Sequence, residues 1–437
     1  MKKIILSLAL CAFVAPLFVG CQNTPEGPSN TPGNVDDFEK PSTLTPGEHK
    51  AKLEDIAVEF VNYINPNDFQ EIVDALYNLS EYLEYEEKDW VNNPYSEEYN
   101  TLAIGVKNLS PLHFQRFATR AMEEIILDIN DPEYNPLAGY VYEWNGDEWE
   151  ESKGQNNQIV IKWDNAVATA SWGETSRKEW SFRELETTAV VYVPNSLSFS
   201  LKIDNKEAIN IFAEPNITNS KTLAPSVEVK LNGGYTIAAS VNADSRGLEV
   251  HKLLKKDGKT LFNANAVVAI NDLTDVDNWL KSEYDEYWDE TEIYIDSDYF
   301  ADQIKSGKVQ IDILNLSIVG AGDFQNLVTD IDETLEDLYS DDDYNNTEWK
   351  KTMEEICDLI NEKIQFVVAY NDTEEKVADI VMQVTNYGDD EYYLEPILLF
   401  PDGSKFAFEN YFTERAFGDL IDAIEELAEE FEEIIEG

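Results

Sequence analysis

The stretch "VEVKLNGGYTIAASV", residues 227–241, carries the clearest indication of fold class in this chain. Val227, Val229 and Leu231 alternate with polar residues, and the alternation resumes at Tyr235 after an Asn-Gly-Gly sequence. A period of two is typical of a strand that buries one face, and Asn and Gly accept the positive φ angles of a tight hairpin turn. The stretch therefore predicts two antiparallel strands with one dry face.

The same signals recur over residues 137–273. Turn pairs at Asn145-Gly146, Asp204-Asn205 and Asp257-Gly258 separate further alternating segments, as short hairpin turns do. Another such pair, Asp402-Gly403, occurs near the C-terminus. We interpret residues 137–273 as an antiparallel, meandering β region.

A helical segment is predicted before this region, over residues 47–136. Apolar residues recur at helical spacing over 53–64 and 69–83, which predicts a helical hairpin broken at Pro66. A third helix is predicted over 110–129, because it opens with a capping Ser followed by Pro in the first turn.

After the β region, residues 274–437 are predicted to be mixed. Apolar stripes over 324–338 and 349–364 indicate two amphipathic helices, and strands are expected between 366 and 408. The chain then ends in an acidic amphipathic helix, with its apolar face at 417–434.

These regions together predict an α+β fold. It consists of one or more antiparallel meandering β-sheets packed with amphipathic helices, with an N-terminal helical segment and a C-terminal helix. Whether the three regions are separate domains or one compact unit over residues 47–437 stays open.

The N-terminus has the order of a secretory signal. Lys2 and Lys3 precede an apolar run from residue 4 to 19, and Gly20 stands before Cys21. The run is too short for a comfortable membrane span, which needs about 20 apolar residues. Residues 17–21 resemble a bacterial lipobox, although Phe occupies a position where Leu is usual. We therefore expect a signal peptide over 1–20 and lipidation of Cys21; an ordinary signal with a chance cysteine after the cut is the alternative.

A proline-rich stretch follows the cysteine. Residues 21–46 contain five prolines among Gly, Ser, Thr and Asn, a composition that does not bury enough surface to fold. We expect a disordered tether between a membrane, reached through the lipid on Cys21, and the folded part. Gln22 is not the aspartate that retains lipoproteins at the inner membrane, which favours the outer membrane. The periplasmic face and the cell surface both stay open.

The composition is strongly acidic. The chain has 87 acidic against 32 basic residues and a formal charge of −55, which becomes −57 when a signal containing two lysines is removed. Nucleic acid is excluded as a partner, because its binding depends on Lys and Arg. An apolar fraction of 43% still allows a sizeable core.

Signals for catalysis and metal binding are weak. His49, His113 and His251 are not spaced as a metal pair, and Cys357 has no partner for a disulfide or a Cys-based site, so we expect a buried thiol. No Gly-x-Ser-x-Gly motif occurs. We expect no cofactor and assign no catalytic or metal-ligating residue.

One acidic segment approaches the pattern of a calcium loop. Asp341, Asp343, Asn345 and Thr347 place oxygens at alternate positions, but Thr352 stands where an EF-hand has its bidentate Glu. Whether Ca²⁺ binds near Asp341 stays open.

Three segments carry a resemblance to a known group. They are "GYVYEWNGDEWEE" at 139–151, "VYVPNSLSFSLKIDNKEAINI" at 191–211 and the run from "LEPILLF" to "EEFEEII" at 394–435. In these the chain resembles uncharacterised large lipoproteins of Bacteroidetes-type gut bacteria. The resemblance implies a lipid-anchored envelope protein and transfers no activity.

The sequence thus predicts a lipid-anchored cell-envelope protein with a non-catalytic binding or structural role. Two alternatives stay open: a carrier of a lipid or other apolar ligand in a half-barrel pocket, and a glycan-binding or glycan-degrading surface protein. Five tryptophans of the β region either stack on sugars or pack in the core. They are Trp144, Trp149, Trp163, Trp172 and Trp180.

Overall fold

A computed structural model of the chain describes most of the residues after 31. The described residues are 32–90, 124–130, 135, 137–182, 187–219, 222–244, 246–270, 280–285, 290–295, 304–325, 327–339, 346–386, 392–411 and 417–436. Cys21, His113 and Asp341 lie outside them.

Strands dominate the described chain. In the first half they are β1 Lys40–Pro41, β2 Glu124–Asp128, β3 Tyr140–Trp144, β4 Trp149–Lys153, β5 Gln158–Trp163, β6 Ala166–Trp172, β7 Thr175–Phe182, β8 Thr187–Pro194, β9 Leu197–Ile203, β10 Lys206–Glu214, β11 Ile217–Asn219 and β12 Thr222–Leu223. In the second half they are β13 Ser226–Leu231, β14 Tyr235–Asp244, β15 Gly247–Lys256, β16 Lys259–Ile270, β17 Leu280–Asp285, β18 Glu290–Ile295, β19 Ile304–Ile313, β20 Leu316–Asp323, β21 Ile364–Tyr370, β22 Glu375–Asn386, β23 Tyr392–Leu399 and β24 Lys405–Ala407.

Helices are fewer. They are α1 Pro46–Asn62, α2 Gln70–Trp90, α3 Leu327–Tyr339, α4 Asn346–Lys363, α5 Phe408–Tyr411 and α6 Gly418–Glu436, with short 3-10 turns at Val35–Phe38, Pro66–Phe69 and Asn232–Gly234. The two predicted helices interrupted at Pro66 are confirmed by α1 and α2, although these pack on different parts of the sheet and do not form a packed hairpin. Where the third helix was predicted to end, the described residues instead form β2, which pairs in parallel with β8.

The expected α+β, helix-packed fold is wrong. Nineteen of the described strands form one large sheet, which is mixed because β3 pairs in parallel with β5 and β1 with β22. From β5 onward most neighbours in the sheet are also successive in the sequence and antiparallel. The region after residue 273, predicted as mixed, contributes β17 to β24. Its strands were underestimated because several of them, such as β19, alternate apolar residues with polar ones that resemble a solvated surface.

One face of the main sheet is apolar, and α1 and α2 pack on parts of it. Cross-strand partners project to the same face, and the registers place Trp163, Leu201, Ile237, Ile318 and Val368 on this side. We call it the apolar face. In α1, the side chains of residues 53 and 56 share a core with β21 to β23, and those of residues 72 and 75 in α2 pack on β5, β6 and β9.

Side-chain hydrogen bonds fix these helices to the sheet. Trp163 Nε1 donates to the carbonyl of Ala75 in α2 at 2.9 Å. His49 Nδ1 and Tyr370 Oη lie 2.8 Å apart between α1 and β21. Thr45 caps α1, accepting from the backbone N–H of Glu48, whose carboxylate accepts from the backbone N–H of Thr45.

A partly buried ion pair holds the corner between α1 and α2. Lys256 Nζ bonds Asp68 Oδ2 at 2.5 Å and lies 4.0 Å from the centroid of the Tyr235 ring. Burial acts to lower the pKa of Lys256, but its bonds to Asp68 and Tyr235 outweigh this and raise the pKa. The Tyr235 hydroxyl also accepts from the backbone N–H of Asn65 at 2.9 Å. We call this group the corner clasp.

The two ends of the sheet differ. The described connections after β3, β5, β9, β13, β15, β19, β21 and β23 lie at one end and are tight turns, with positive φ at residues such as Asp204, Asn205, Asp257 and Gly258. Because successive antiparallel connections alternate between ends, the strand ends that flank residues 173–196, 215–225, 271–303 and 324–363 lie at the other end, together with the short connection from β14 to β15. We call these the tight-turn end and the long-connection end.

Residues 33–46, part of the expected tether, are folded against the sheet. The backbone N–H of Gly33 donates to Gln310 Oε1 at 2.8 Å. Phe38 packs on Val319 and Val367, and β1 then pairs with β22.

We predict that Lys256→Met lowers the free energy of unfolding by about 1–2 kcal/mol, because Asp68 is left without its partner in a partly buried position. The measurement is urea denaturation followed by tryptophan fluorescence. Lys206→Met, at an exposed position of β10, is the matched control and should change stability by less than about 0.5 kcal/mol. Equal effects of the two substitutions would contradict a stabilising role of the corner clasp.

Candidate functional site

A row of polar side chains crosses the face of the main sheet opposite the apolar face. Successive cross-strand pairings place its members side by side, and residues two apart on one strand share a face. We call it the polar row; its members are Ser226, Ser240, His251, Asn263, Asn265, Gln310, Asp312 and Ser317.

The centre of the polar row is removed from solvent. The exposed fraction is 5% for His251, 1% for Asn265 and 0% for Ser317. Burying a polar group costs free energy unless the group is hydrogen-bonded. The partners of each member therefore decide whether the row is only structural or has capacity to bind something else.

Asp312 is the common acceptor of the row. Its Oδ1 accepts from Ser317 Oγ at 2.6 Å, from Gln310 Nε2 at 2.8 Å and from Asn371 Nδ2 at 3.3 Å. Its Oδ2 accepts from Asn263 Nδ2 at 3.1 Å. An ionised carboxylate only accepts hydrogen bonds, so all of these side chains must turn their donors toward it.

This requirement sets the protonation of His251. Since Asn263 turns its NH₂ group to Asp312, its carbonyl oxygen faces the histidine, where Oδ1 lies 2.9 Å from His251 Nε2. An oxygen acceptor requires a proton on Nε2. In the neutral ring Nδ1 is then a bare acceptor.

Burial keeps His251 neutral. Desolvation lowers the pKa of His251, and the charge of Lys255 acts in the same direction, while the bond to Asn263 opposes both. Neither His251 Nδ1 nor the neighbouring Asn265 Oδ1 has a hydrogen-bond partner among the described residues. The row thus contains two adjacent acceptors whose capacity the described fold leaves unused.

The N-terminal segment meets the polar row directly. Gln310 donates to Asp312 through Nε2 and accepts from the backbone N–H of Gly33 through Oε1. Lys308, two residues before Gln310 on β19, bonds Asn34 Oδ1. The start of the folded chain is therefore hydrogen-bonded to the same network as His251.

The other histidine that the structure describes, His49, is a packing residue. Its side chain is fully buried and stacks on Tyr370, with ring centroids 5.6 Å apart. Burial is the main cause that lowers the pKa of His49, with the charge of Lys52 adding to it. It joins α1 to β21.

Cys357 has the surroundings of a structural thiol. It is buried in α4, and its Sγ lies 3.2 Å from the carbonyl oxygen of Met382, to which it donates. Burial raises the pKa of Cys357, and a protonated thiol is a poor nucleophile.

The tryptophans whose side chains are described pack within the fold. Trp163 and Trp172 are buried, and Trp172 Nε1 donates to Asn130 Oδ1 at 2.8 Å. Trp144 stacks on Tyr82 with centroids 4.9 Å apart and lies against Trp149. The side chain of Trp180 lies outside the described part.

No group of three or more His, Cys, Asp or Glu side chains among the described residues is placed to hold a metal ion. Thr347 lies in α4, and the rest of the acidic segment near Asp341 falls outside the description. No described helix has the length and apolar character needed to cross a membrane.

An open depression of 310 Å³ lies along α1. It is lined by Asp55, Val58, Glu59, Asn62 and Tyr63. Lys259 Nζ already bonds both Glu59 Oε1, at 2.8 Å, and the hydroxyl of residue 63. Two of its polar groups, those of Glu59 and Tyr63, thus already have a partner, and the depression is a weaker candidate than the polar row.

Sequence reasoning missed most of the polar row. It noted only that His251 is not spaced as half of a metal pair, whereas the structure buries the ring and gives a hydrogen-bond partner to Nε2 but not to Nδ1. A signal did exist, since polar residues alternate in "LFNANAV" at 261–267 and in "KVQIDI" at 308–313. Alternation alone does not tell a solvated face from a buried polar one.

Comparison with known proteins adds little. No protein-family model and no curated protein matches the chain. Among solved structures, it is similar to a porin-like protein from Bacteroides vulgatus ATCC 8482, at 7% identity and a TM-score of 0.16, over 62% of this chain and 95% of that one. A similarity of this size supports no statement about fold or function, and it establishes no family.

We predict that Asp312→Ala lowers the free energy of unfolding by about 3 kcal/mol, because several donors lose one shared acceptor and an unsatisfied buried donor costs about 1–3 kcal/mol. Urea denaturation measures the change. Glu249→Ala, at an exposed position of β15 on the same face, should change stability by less than about 0.5 kcal/mol. If Asp312→Ala were as mild as this control, Asp312 would not be the centre of the network.

Proposed function

We propose that this chain is a lipid-anchored protein of the cell envelope, acylated at Cys21 and held at the outer membrane, with a non-catalytic binding role at the long-connection end of its sheet. The observation that carries the binding role is the difference between the two ends of the sheet. The anchor is supported by the signal-like residues 1–20 and by the place where the folded chain begins.

Gly33 is bonded to Gln310, and eleven residues of sequence lie between Cys21 and Gly33. These eleven residues reach at most about 40 Å when fully extended. An anchored molecule would therefore stay close to the bilayer instead of ranging freely from it.

The asymmetry of the ends supports binding at one of them. Tight turns such as Asp204-Asn205 and Asp257-Gly258 are too short to form a binding surface at their end of the sheet. The opposite end carries the longer connections, which contain elements of their own: β7 and β8 in 173–196, β17 and β18 in 271–303, and α3 and α4 in 324–363. Binding residues are found disproportionately on connecting segments that a rigid scaffold positions.

The sequence of one long connection favours a glycan as the ligand class. Residues 271–303 contain two Trp, four Tyr and one Phe together with twelve Asp or Glu residues and a single Lys. Aromatic rings stack on sugars, and carboxylates accept hydrogen bonds from sugar hydroxyls. Trp163 and Trp172 offer no such surface, since both are buried.

We predict that Cys21→Ser moves the protein from the membrane fraction to the soluble fraction. Several acyl chains bind a bilayer stably, since each buried methylene contributes about 0.8 kcal/mol. Mass spectrometry of the N-terminal peptide should show acylation in the unchanged protein. Cys357→Ser, which alters the buried thiol, is the control and should stay in the membrane fraction. An unmodified thiol at position 21 would refute the anchor.

We also predict that replacing residues 271–303 with an Asn-Gly turn removes glycan binding and preserves the fold. Ile270 and Ile304 are cross-strand partners, so a short turn can join β16 to β19. The measurement is retardation of the protein in native gels that contain soluble starch, xylan or pectin.

The control for this replacement alters the opposite end. Asp204→Asn keeps a residue that tolerates positive φ in the turn between β9 and β10, and should leave gel retardation unchanged. The thermal midpoints of both variants should match that of the unchanged protein. Binding that survives the replacement would refute the assignment to the long-connection end, and an unchanged protein that binds none of the three polysaccharides would refute the glycan class.

A further inference from the structure

The polar row leaves two acceptor atoms without a donor at neighbouring positions. Gln310, Asn263 and Ser317 each donate to Asp312, and Gln310 Nε2 also lies 3.4 Å from Ser317 Oγ. His251, the next residue in this series of hydrogen bonds, donates through Nε2 to the side-chain oxygen of residue 263. Nothing described in the fold then donates to His251 Nδ1.

The second acceptor lies on the adjacent strand. Asn265 is the direct cross-strand partner of His251, and its Oδ1 is buried without a hydrogen bond from the described residues. Side chains of direct partners have Cβ atoms about 4.5–5.5 Å apart on one face of the sheet. A single small group between them can therefore reach both acceptors.

We propose that His251 and Asn265 form a binding site for one small hydrogen-bond donor, of the size of water or ammonium, which donates to His251 Nδ1 and Asn265 Oδ1 at the same time. The chemistry that both candidates share is a compact group with at least two N–H or O–H bonds.

The identity and burial of the two atoms argue for such a group. The exposed fractions of His251 and Asn265 are 5% and 1%, so a large ligand would have to displace packed neighbours. One imidazole nitrogen and one amide oxygen are a poor donor set for a divalent metal, which takes four or more ligands. A buried polar atom usually gains its missing bond from an internal water when the protein supplies none. Ser240, opposite His251 on β14, offers a further polar contact.

The site is independent of the proposed envelope function. It lies at the centre of the sheet and depends neither on acylation of Cys21 nor on the long connections. Failure of the anchor or of glycan binding would leave it untouched.

The test uses the full chain labelled with ¹⁵N in its histidine rings. The chain has only three histidines, so His49→Gln and His113→Gln assign the signals by subtraction. The spectra are recorded at pH 8, where burial keeps the His251 ring neutral. Samples contain either ammonium chloride or potassium chloride at equal ionic strength, because potassium is similar in size to ammonium and has no N–H to donate.

The expected spectrum shows a proton on Nε2 and an Nδ1 resonance displaced toward the values of a hydrogen-bonded acceptor. A displacement that saturates with ammonium and not with potassium identifies ammonium as the donor, and one that is equal in both salts identifies water. A proton on Nδ1, or an Nδ1 resonance at the value of a free acceptor in both salts, would overturn the proposal.

A substitution and a crystal structure distinguish this site from a direct hydrogen bond between the side chains of His251 and Asn265. Asn265→Ala should shift the Nδ1 resonance, while Asn242→Ala, on the same face of β14, should not. A crystal structure that resolves ordered water should show one non-protein peak within about 3.2 Å of both acceptors. The Asn265 nitrogen in contact with Nδ1, or no density between the atoms, would overturn the proposal.

Discussion

Cross-strand register is the constraint on which the rest of this structure depends, because both faces of the central sheet are buried for different reasons. Ile237 and Leu254 project to the apolar face, while Ser240 and His251, on the same two strands, project to the polar row. A slip of one residue exchanges the faces of a strand. The slip would bring His251 onto the apolar side and move apolar side chains into a network of carboxylate and amide groups. Either change costs more than the loss of one ordinary hydrogen bond, which is about 1 kcal/mol.

The polar row strengthens this constraint on register, because its hydrogen bonds depend on direction. Asp312 accepts from side chains on β16, β19 and β20 and from Asn371 after β21. A carboxylate with several donors is satisfied in one register and leaves donors unpaired in the neighbouring ones. Apolar side chains in place of the polar row would pack as well but would distinguish less between the correct register and a shifted one, since apolar contacts tolerate shifts that hydrogen bonds do not. In this protein the buried polar groups therefore specify the alignment of strands that are far apart in the sequence.

How much of this was predictable differs between elements. The two helices interrupted at Pro66 and the turns at Asp204-Asn205 and Asp257-Gly258 follow from local signals, because helix periodicity and positive φ leave a direct trace in the sequence. The breadth of the sheet left no such trace. Strands β17 to β20 include polar positions that resemble a solvated surface, and only the register shows that residues of β19 and β20 meet inside the fold.

The candidate site was less predictable than the fold. His251 is visible in the sequence, but its tautomer depends on Asn263, whose orientation depends on Asp312, forty-nine residues further along the chain. A relation of this kind requires three strands in register before any of its bonds exists. The same holds for Gly33, whose partner Gln310 lies 277 residues away. Its bond to the sheet lies within residues that composition alone assigned to a tether.

The way in which the N-terminal segment enters the fold also determines which contacts would carry the load of a membrane anchor. The segment from Gly33 to Phe38 lies on the face that carries the polar row, and α1 lies on the apolar face. Between them β1 pairs with β22, so the chain passes from one face of the sheet to the other. A force applied to the chain at Gly33 would first load its bond to Gln310 and the packing of Phe38. It would reach α1 only after the pairing of β1 had broken, and there the buried bond between His49 and Tyr370 would resist it. Contacts on the two faces of the sheet would thus be loaded one after the other, first those of residues 33–38 and then those of α1.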